Sequence, residues 1–450
     1  MNVLLAALNA KYIHSSLAVR SLQAYCSKTA SITVRDFSIN DELNNIIADI
    51  FRIKPAVIGF SCYVWNIEQI IKIAGTLKEI LPETKIIFGG PEVSFSAFDY
   101  LSKYSFLDVV IIGEGEETLF EYLNALKNNL QYDDIFGLAF RRENEILINK
   151  ERMLLENLTE IPFVYNATDF EALKNKIVYY ESTRGCVFNC SYCLSSTIKG
   201  IRFLGAERIA SDIKKFIAAD VKQVKFVDRT FNASKEHAMN VWQIILENYN
   251  GKTNFHFEIS ADLLDAEMIG LLETFPKGAL QFEIGVQSTN PHTLELINRK
   301  SDLKKLCNNV SMLRQSANIH IHLDLIAGLP SEDMDTFEKS FNNIFELNPH
   351  HFQLGFLKLL KGTSMNARAQ EFGIVSRQYP PYEVIKTTWL SFEEILLLKD
   401  IEDILENYYN TGNFTNYFKY VFSKWQKGAF AYFIALAKLY RNLKINNLHI

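Results

Sequence analysis

Three of the six cysteines of this 450-residue chain fall within one short stretch, Arg184-Gly185-Cys186-Val187-Phe188-Asn189-Cys190-Ser191-Tyr192-Cys193. Their spacing, Cys-x₃-Cys-x₂-Cys, places three soft, anionic thiolates on one loop. Thiolates hold iron–sulfur clusters, and three of them on a four-iron cube leave one iron open to an exchangeable molecule. A structural zinc ion is the alternative. It would need a fourth ligand, and no His or Cys follows at the usual spacing, His237 and His256 lying far along the chain. A disulfide is disfavoured, because three clustered thiols cannot all pair and the opening Met1-Asn2-Val3-Leu4-Leu5 reads as a first strand rather than a secretion signal. Cys26, Cys62 and Cys307 are isolated and read as small apolar packing residues.

The run from Lys176 to Ser182, with Ile177, Val178 and two tyrosines, is expected to be a strand that delivers the cysteines to a turn at Gly185 and Asn189. From residue 176 to about 365 strand and helix alternate, with strands near Ile177–Ser182, Val224–Asp228, Phe255–Ser260, Leu280–Gln287, Ile319–Ile326 and His351–Phe356. Six such units predict a partial (β/α)6 TIM-like barrel. The lumen of an ordinary closed barrel is filled by branched apolar side chains. Here the alternate positions are polar: His256, Glu258 and Ser260, then Gln281, Glu283, Gly285 and Gln287, then His320, His322 and Asp324, then His351, Gln353 and Gly355. Outer faces of barrel strands must pack on helices, so the apolar set faces out and the polar set lines a reaction chamber. Taken singly, His256 or His351 reads more simply as a hydrogen-bonded structural group; agreement across four strands is what points to a chamber.

Upstream, residues 1–130 alternate apolar runs with helical periodicity. Strands are expected at Val3–Ala7, Ile32–Asp36, Ala56–Ser61, Lys85–Gly89 and Asp108–Ile112, and helices near Ser16–Ser27, Asp41–Arg52, Asn66–Leu81, Phe95–Lys103 and Glu116–Lys127. That is an α/β, flavodoxin- or Rossmann-like parallel sheet whose ligands would sit at the carboxyl ends of the strands. No Gly-x-Gly-x-x-Gly turn follows the first strand, which counts against a dinucleotide site. Residues 131–175 read as a connector, with a hairpin of Phe136–Phe140 and Ile146–Ile148 and an extended path fixed by Pro162. Residues 366–450 read as a helical extension whose many aromatics build a small core rather than a base-stacking platform.

The cysteine motif, with Tyr192 just before its third cysteine, resembles that of the radical S-adenosylmethionine (SAM) enzymes. The resemblance implies a [4Fe-4S] cluster on Cys186, Cys190 and Cys193, with Tyr192 beside it. It implies SAM chelated to the open iron and cleaved to methionine and a 5′-deoxyadenosyl radical, and a reducing electron donor such as flavodoxin or ferredoxin. Carried over by motif, Asp228 and Arg229 in Phe226–Asn232 would contact the methionyl end of SAM. Glu283, Gln287 and Ser288 would lie near its ribose, Asp324 and Gly328 beside its adenine, and Arg299 within reach of its carboxylate; Lys358 would face the mouth, with a solvated lysine as the alternative. The first domain is similar to the cobalamin-binding domain found ahead of the radical module in one large subgroup, with Ser61, Gly89 and Gly90 at the positions that admit the cofactor's nucleotide tail. It departs from that pattern in lacking an Asp-x-His-x-x-Gly motif after the first strand. His14 lies in that loop at another spacing and reads as a loop residue that helps cap the helix beginning near Ser15 or Ser16, with cobalt ligation the alternative. Glu116 and Glu117, in the turn Gly113–Thr118, suit a helix N-terminus.

The function these features imply is a radical transformation, by C-methylation, cyclisation or rearrangement, of a small or medium organic substrate, with cobalamin as a further cofactor or, alternatively, the cobalamin-binding fold retained without its cofactor. One alternative is modification of an RNA base, although the extra N-terminal cysteines and basic appendage of methylthiolating relatives are missing; another is a non-catalytic cluster or corrinoid sensor. A formal net charge of −5 supplies no general nucleic-acid footprint. No run of about 18 uncharged apolar residues suggests a membrane span. A reducing cytoplasmic, anaerobic setting is expected.

Overall fold

The computed structural model describes residues 1–442; residues 443–450, at the end of the expected helical tail, lie outside the described residues. The chain forms two compact units, Met1–Tyr180 with Arg202–Lys225, and Glu181–Ile201 with Phe226–Ile450.

The first unit is organised by strands β1 (Asn2–Asn9), β2 (Ser31–Ser38), β3 (Val57–Ser61), β4 (Lys85–Gly89), β5 (Val109–Ile111), β6 (Leu138–Arg142) and β7 (Glu145–Ile148). They form one sheet in the order β2-β1-β3-β4-β5-β6-β7. β1 to β5 pair in parallel. Helices on both faces explain why β1 is apolar at nearly every position. Leu4, Ala6 and Leu8 join one buried layer with Ile58, Phe60 and Phe88, while Val3, Leu5 and Ala7 join the opposite layer with Val57 and Ile87. The hairpin expected in the connector belongs instead to this sheet, β6 pairing antiparallel with β5 through Val109↔Phe140 and Ile111↔Leu138. A three-residue β5 would otherwise leave an open edge, and Phe140 completes the apolar layer below it.

In the second half, the strands are β8 (Val178–Tyr180), β9 (Thr183–Gly185), β10 (Ile201–Phe203), β11 (Gln223–Phe226), β12 (Asn254–Ile259), β13 (Leu280–Gln287), β14 (His320–Ala327) and β15 (His351–Phe356). Within the second unit the sheet order is β15-β14-β13-β12. From β12 to β15 the strands pair in parallel. Burial along β13 alternates strictly, with Leu280, Phe282, Ile284 and Val286 inside and Gln281, Glu283, Gly285 and Gln287 partly open. The same period holds through much of β14 and β15, so these strands present one polar, partly open face and one apolar face against helices. The expected single strand Ile177–Ser182 is broken before Ser182, because the Ser182 amide donates to the Asp228 carboxylate (3.0 Å) rather than to a ladder.

After β15 a short hairpin of β16 (Val375–Ser376) and β17 (Val384–Lys386) leads to helices Phe392–Ile404, Thr415–Lys424 and Ala429–Asn442, with a π-turn at Leu405–Tyr409. Phe430 and Phe433 are buried against Phe341 and Phe345, with ring centroids from 5.1 to 5.7 Å apart, and buried Phe418 packs on Phe433 at 6.0 Å. The tail aromatics therefore form a core with helix Met334–Glu346. Among the described residues no helix is long and apolar enough to cross a membrane.

Candidate cluster and cofactor sites

The cysteine loop is pinned from several directions within the second unit. The Ser191 amide donates to the Ile297 carbonyl (2.9 Å), the Met365 amide to the Ser191 carbonyl (2.8 Å), and the Asn298 side-chain amide to the Asn189 carbonyl (2.8 Å). At its start Gly185 adopts φ +98, and a Cβ there would lie 2.1 Å from the Gly200 carbonyl oxygen, so only glycine fits. Cys186 Sγ lies 3.4 Å from Thr230 Oγ1 and accepts the Phe188 amide at 3.4 Å. The Arg299 guanidinium donates to Cys190 Sγ (3.7 Å) and, through Nη2, to the Gly285 carbonyl, tying the loop to the end of β13. Burial pushes the Cys190 thiol above its ordinary range and Arg299 pulls it back, an electropositive contact that favours thiolate. Burial also raises the Tyr192 hydroxyl, whose neighbours are Arg299, Cys190 and Cys193. Among the described residues no three His, Cys, Asp or Glu side chains are gathered around one metal position. The loop suits a thiolate-held cluster by its donors, by the glycine that lets it turn and by the guanidinium on one sulfur. Cys26 and Cys62 are fully buried with thiols raised, Cys26 to about 12, in keeping with inert packing.

Two expected SAM contacts are engaged elsewhere. Asp228 is wholly buried, and its carboxylate accepts from the Ser182 amide and hydroxyl (3.0 and 3.1 Å). Burial raises its pKa from 3.8 to about 7 despite the bonds from Ser182. It buttresses the approach to the cysteine loop, and the 2.9 Å contact of Ser182 Oγ with His237 Nε2 extends the support. Ser288 is likewise fully buried, donating to Glu332 at 2.6 Å; Glu332, raised to about 7 by burial, also accepts from Ser340 (3.1 Å). Neither Asp228 nor Ser288 is open to a ligand, because side chains distant in sequence have claimed their polar atoms. The space beside Gly328 (φ +88), expected to admit adenine, is approached by Val384, 2.7 Å from where a Cβ would stand. Sequence reasoning missed the supporting roles of Ser182, Thr230, His237 and Glu332, whose partners lie far along the chain; only their fold neighbours reveal them.

Other expected residues are better placed. Gln287 ends β13 at a register shift after Gly285, has φ +73, and buries a side-chain oxygen that has no hydrogen-bond partner. Bulge, left-handed backbone and orphaned acceptor coincide at one residue, a combination typical of binding positions. Arg229 is exposed, Glu283 pairs with His256 (3.2 Å) and Asp324 with His322 (2.9 Å), and Lys358 is exposed.

In the first unit, the carboxyl ends of β1, β3 and β4 carry Ser61, Gly89 and Gly90. Ser61 faces Gly89 across the β3–β4 pair. Gly90 has φ +113, and a Cβ would sit 2.6 Å from the Cys62 carbonyl oxygen, so a side chain is excluded. Tyr12, Trp65 and Phe95, from the loops following these strands, are exposed, with Trp65 stacked on Tyr63 at 4.3 Å. Exposed aromatics at strand ends suit a large flat ligand. His14 does not cap the following helix. Its Nδ1 contacts the Tyr179 hydroxyl at 2.6 Å, and the Ser16 amide is capped by Asp36 (3.1 Å), itself paired with buried Arg20 (2.6 Å). Burial and nearby Lys225 and Lys11 lower the His14 pKa. Glu116, buried in the first turn of Glu116–Lys127, accepts from Ser21 (2.8 Å), and Glu114 holds Arg202 through two contacts (3.0 and 2.6 Å).

Comparison with known families matches the B12 binding domain over residues 3–123 and the Radical SAM superfamily over residues 180–344. The chain thus carries a match to a B12-binding domain followed by a match to a radical SAM domain. Residues 370–450 match a third family, described as protein of unknown function (DUF4080). The chain is 26% identical to the cobalamin-dependent radical SAM methyltransferase TokK of Streptomyces tokunonensis, over 68% of this chain and 47% of the relative. It is also 26% identical to a 2-(S-pantetheinyl)-carbapenam-3-carboxylate methyltransferase of Streptantibioticus cattleyicolor, over 71% and 47%. The chain thus spans about half the length of these curated relatives. Its fold is that of the radical SAM methyltransferase TsrM of Kitasatospora setae solved with cobalamin and a [4Fe-4S] cluster (TM-score 0.70, 16% identity, covering 84% of this chain and 81% of TsrM). OxsB, a cobalamin-dependent SAM radical enzyme, matches with TM-score 0.72 and 15% identity over 98% and 71%. A radical SAM domain implies a [4Fe-4S] cluster and SAM, and a B12-binding domain implies cobalamin.

Proposed function

We propose that this protein is a radical SAM enzyme that carries out a radical transformation of a small or medium organic substrate, by C-methylation, cyclisation or rearrangement. The observation that carries the reading is the triply anchored loop of Cys186, Cys190 and Cys193 with Arg299 on one sulfur. These cysteines would hold the cluster, which, with SAM bound and an electron from a donor such as flavodoxin or ferredoxin, supplies a 5′-deoxyadenosyl radical. The chain's own residues do the positioning. Arg299 bridges the loop to β13, Gln287 offers an unpaired carbonyl at the strand end, and Tyr192 closes the loop against solvent; Asp228 and Ser182 hold the base of the loop in place. Ser61, Gly89 and Gly90, with the exposed Tyr12, Trp65 and Phe95, would receive cobalamin. His14, turned to Tyr179, is not presented as its cobalt ligand.

The test is anaerobic reconstitution with iron and sulfide, followed by assay of 5′-deoxyadenosine with SAM and a strong reductant. The expected result is a bound cluster and SAM cleavage, both abolished by Cys190→Ala. A cluster that survives with no cleavage, even with cell extract as substrate source, would favour a sensor over an enzyme. Purification with hydroxocobalamin tests the second cofactor: a colourless, cobalt-free protein removes cobalamin from the reading.

A further inference from the structure

The C-terminal extension packs along the outermost strand of the radical domain's sheet. β15 ends the strand order, and its edge is met by Asn410, the residue that follows the π-turn. The Phe352 amide donates to Asn410 Oδ1 (2.8 Å) and Asn410 Nδ2 donates to the Phe352 carbonyl (3.1 Å), so one amide occupies both ladder positions that a further strand would take. The same Nδ2 lies 3.0 Å from Glu406 Oε1, and that oxygen is 3.6 Å from His351 Nε2. π-turns recur at functional positions because they redirect a side chain without ending the helix. Here the turn aims Glu406 at the polar face of the sheet.

On that face Glu406–His351 is the third of three imidazole–carboxylate pairs, beside His256–Glu283 (3.2 Å) and His322–Asp324 (2.9 Å). They are neighbours: Glu283 is opposite His322, His322 is opposite His351, and the last two rings lie 4.0 Å apart. The carboxylates are not sealed in, with side-chain exposures of 22% for Glu283, 18% for Asp324 and 47% for Glu406. A carboxylate has two oxygens and can accept several hydrogen bonds at once. An apolar molecule laid against this face would strand charged groups away from water. A site built to hydrogen-bond its substrate discriminates against analogues lacking the matching groups by roughly 10⁴–10⁵.

Resting on the proposed radical SAM function, we infer that the extension at residues 370–442 walls the substrate site and supplies Glu406 to it, and that the three pairs select a polar, water-soluble substrate rather than a lipid or a tetrapyrrole. Glu406 and Asn410 are the extension's contribution to specificity, Asn410 by positioning Glu406.

The full-length reconstituted protein, with SAM and reductant, is given the aqueous and the chloroform-soluble halves of one cell extract from the organism that carries the gene, and 5′-deoxyadenosine is measured. The aqueous half is expected to stimulate its formation. Glu406→Gln, which keeps size and removes charge, is expected to need about ten- to a hundred-fold more of that half for half-maximal stimulation, the loss of one hydrogen bond to a charged group, with the maximal rate little changed. His351→Gln should show the same split, and an alteration confined to the maximal rate would mark a structural effect instead. Stimulation by the chloroform half, stimulation by neither half, or normal half-saturation in both variants overturns the inference. Absence of 5′-deoxyadenosine under every condition, stimulated or not, fails the radical SAM reading itself.

Discussion

Asp228 offers a quantitative test of how the cysteine loop is held. Burial raises its carboxyl from 3.8 to about 7. A pKa difference of one between folded and unfolded chain corresponds to about 1.4 kcal/mol, so the ionised form is disfavoured in the fold by on the order of 4 kcal/mol. Between about pH 4 and 7 the folded protein keeps a proton that the unfolded chain has lost, so stability falls as pH rises through that window and levels off above it. From pH 5 to 8 this one group removes roughly 3 kcal/mol. Asp228→Asn retains an oxygen to accept the Ser182 amide and hydroxyl but does not titrate. Glu332 and Glu402, also raised to about 7 by burial, add the same kind of slope to both proteins and cancel in the comparison. Urea unfolding of wild type and variant at pH 5 and pH 8, without oxygen, should show the variant gaining about 3 kcal/mol relative to wild type at the higher pH. Identical pH dependence in the two proteins would refute the burial argument.

Gly185→Ala should cost on the order of 1–3 kcal/mol from its φ of +98 alone, with the Gly200 clash in addition, and should lower iron retained after reconstitution; unchanged iron content and melting temperature would contradict it. Phe433→Ala, in the tail's aromatic core, should destabilise by roughly 3–5 kcal/mol in thermal melting, and a melt like wild type would show that those helices are not part of the second unit's core. Burial lowers His237 to about 4, so it favours the neutral ring in the fold and its contribution is lost as pH falls from about 6.5 towards 4. His237→Gln should therefore give a shallower loss of stability over that acid window, read by urea midpoints at pH 4.5 and 7; an equally steep loss would remove His237 as its cause.

Much of the radical domain is legible in the sequence, because its signals are local. The Leu280–Gln287 strand and its strict in-and-out alternation follow from a period of two, which a few residues suffice to show. The first domain's parallel strands are legible for the same reason. Its sheet is not fully so: whether the Leu138–Arg142 hairpin belongs to a connector or to β5 depends on which edge lies bare, and no short window of sequence contains that. Asp228 and Ser288 sit in motifs that point to SAM, yet Ser182 and Glu332 take their polar atoms. A motif specifies residue type and spacing; which atoms stay unpaired depends on partners tens of residues away.

The sequence by itself determined which thiols could share a cluster, since Cys186, Cys190 and Cys193 lie within a single loop and no folding is needed to bring their thiols near one another. It also determined the polar character of one sheet face, since strand geometry converts alternation directly into sidedness. Only the tertiary structure decided that Arg299 meets Cys190, that Asn410 completes the edge at Phe352 and that Glu406 reaches His351. These pairs are separated by 109, 58 and 55 residues, and contacts of such span exist only once the packed cores of the unit have brought the elements that carry them together.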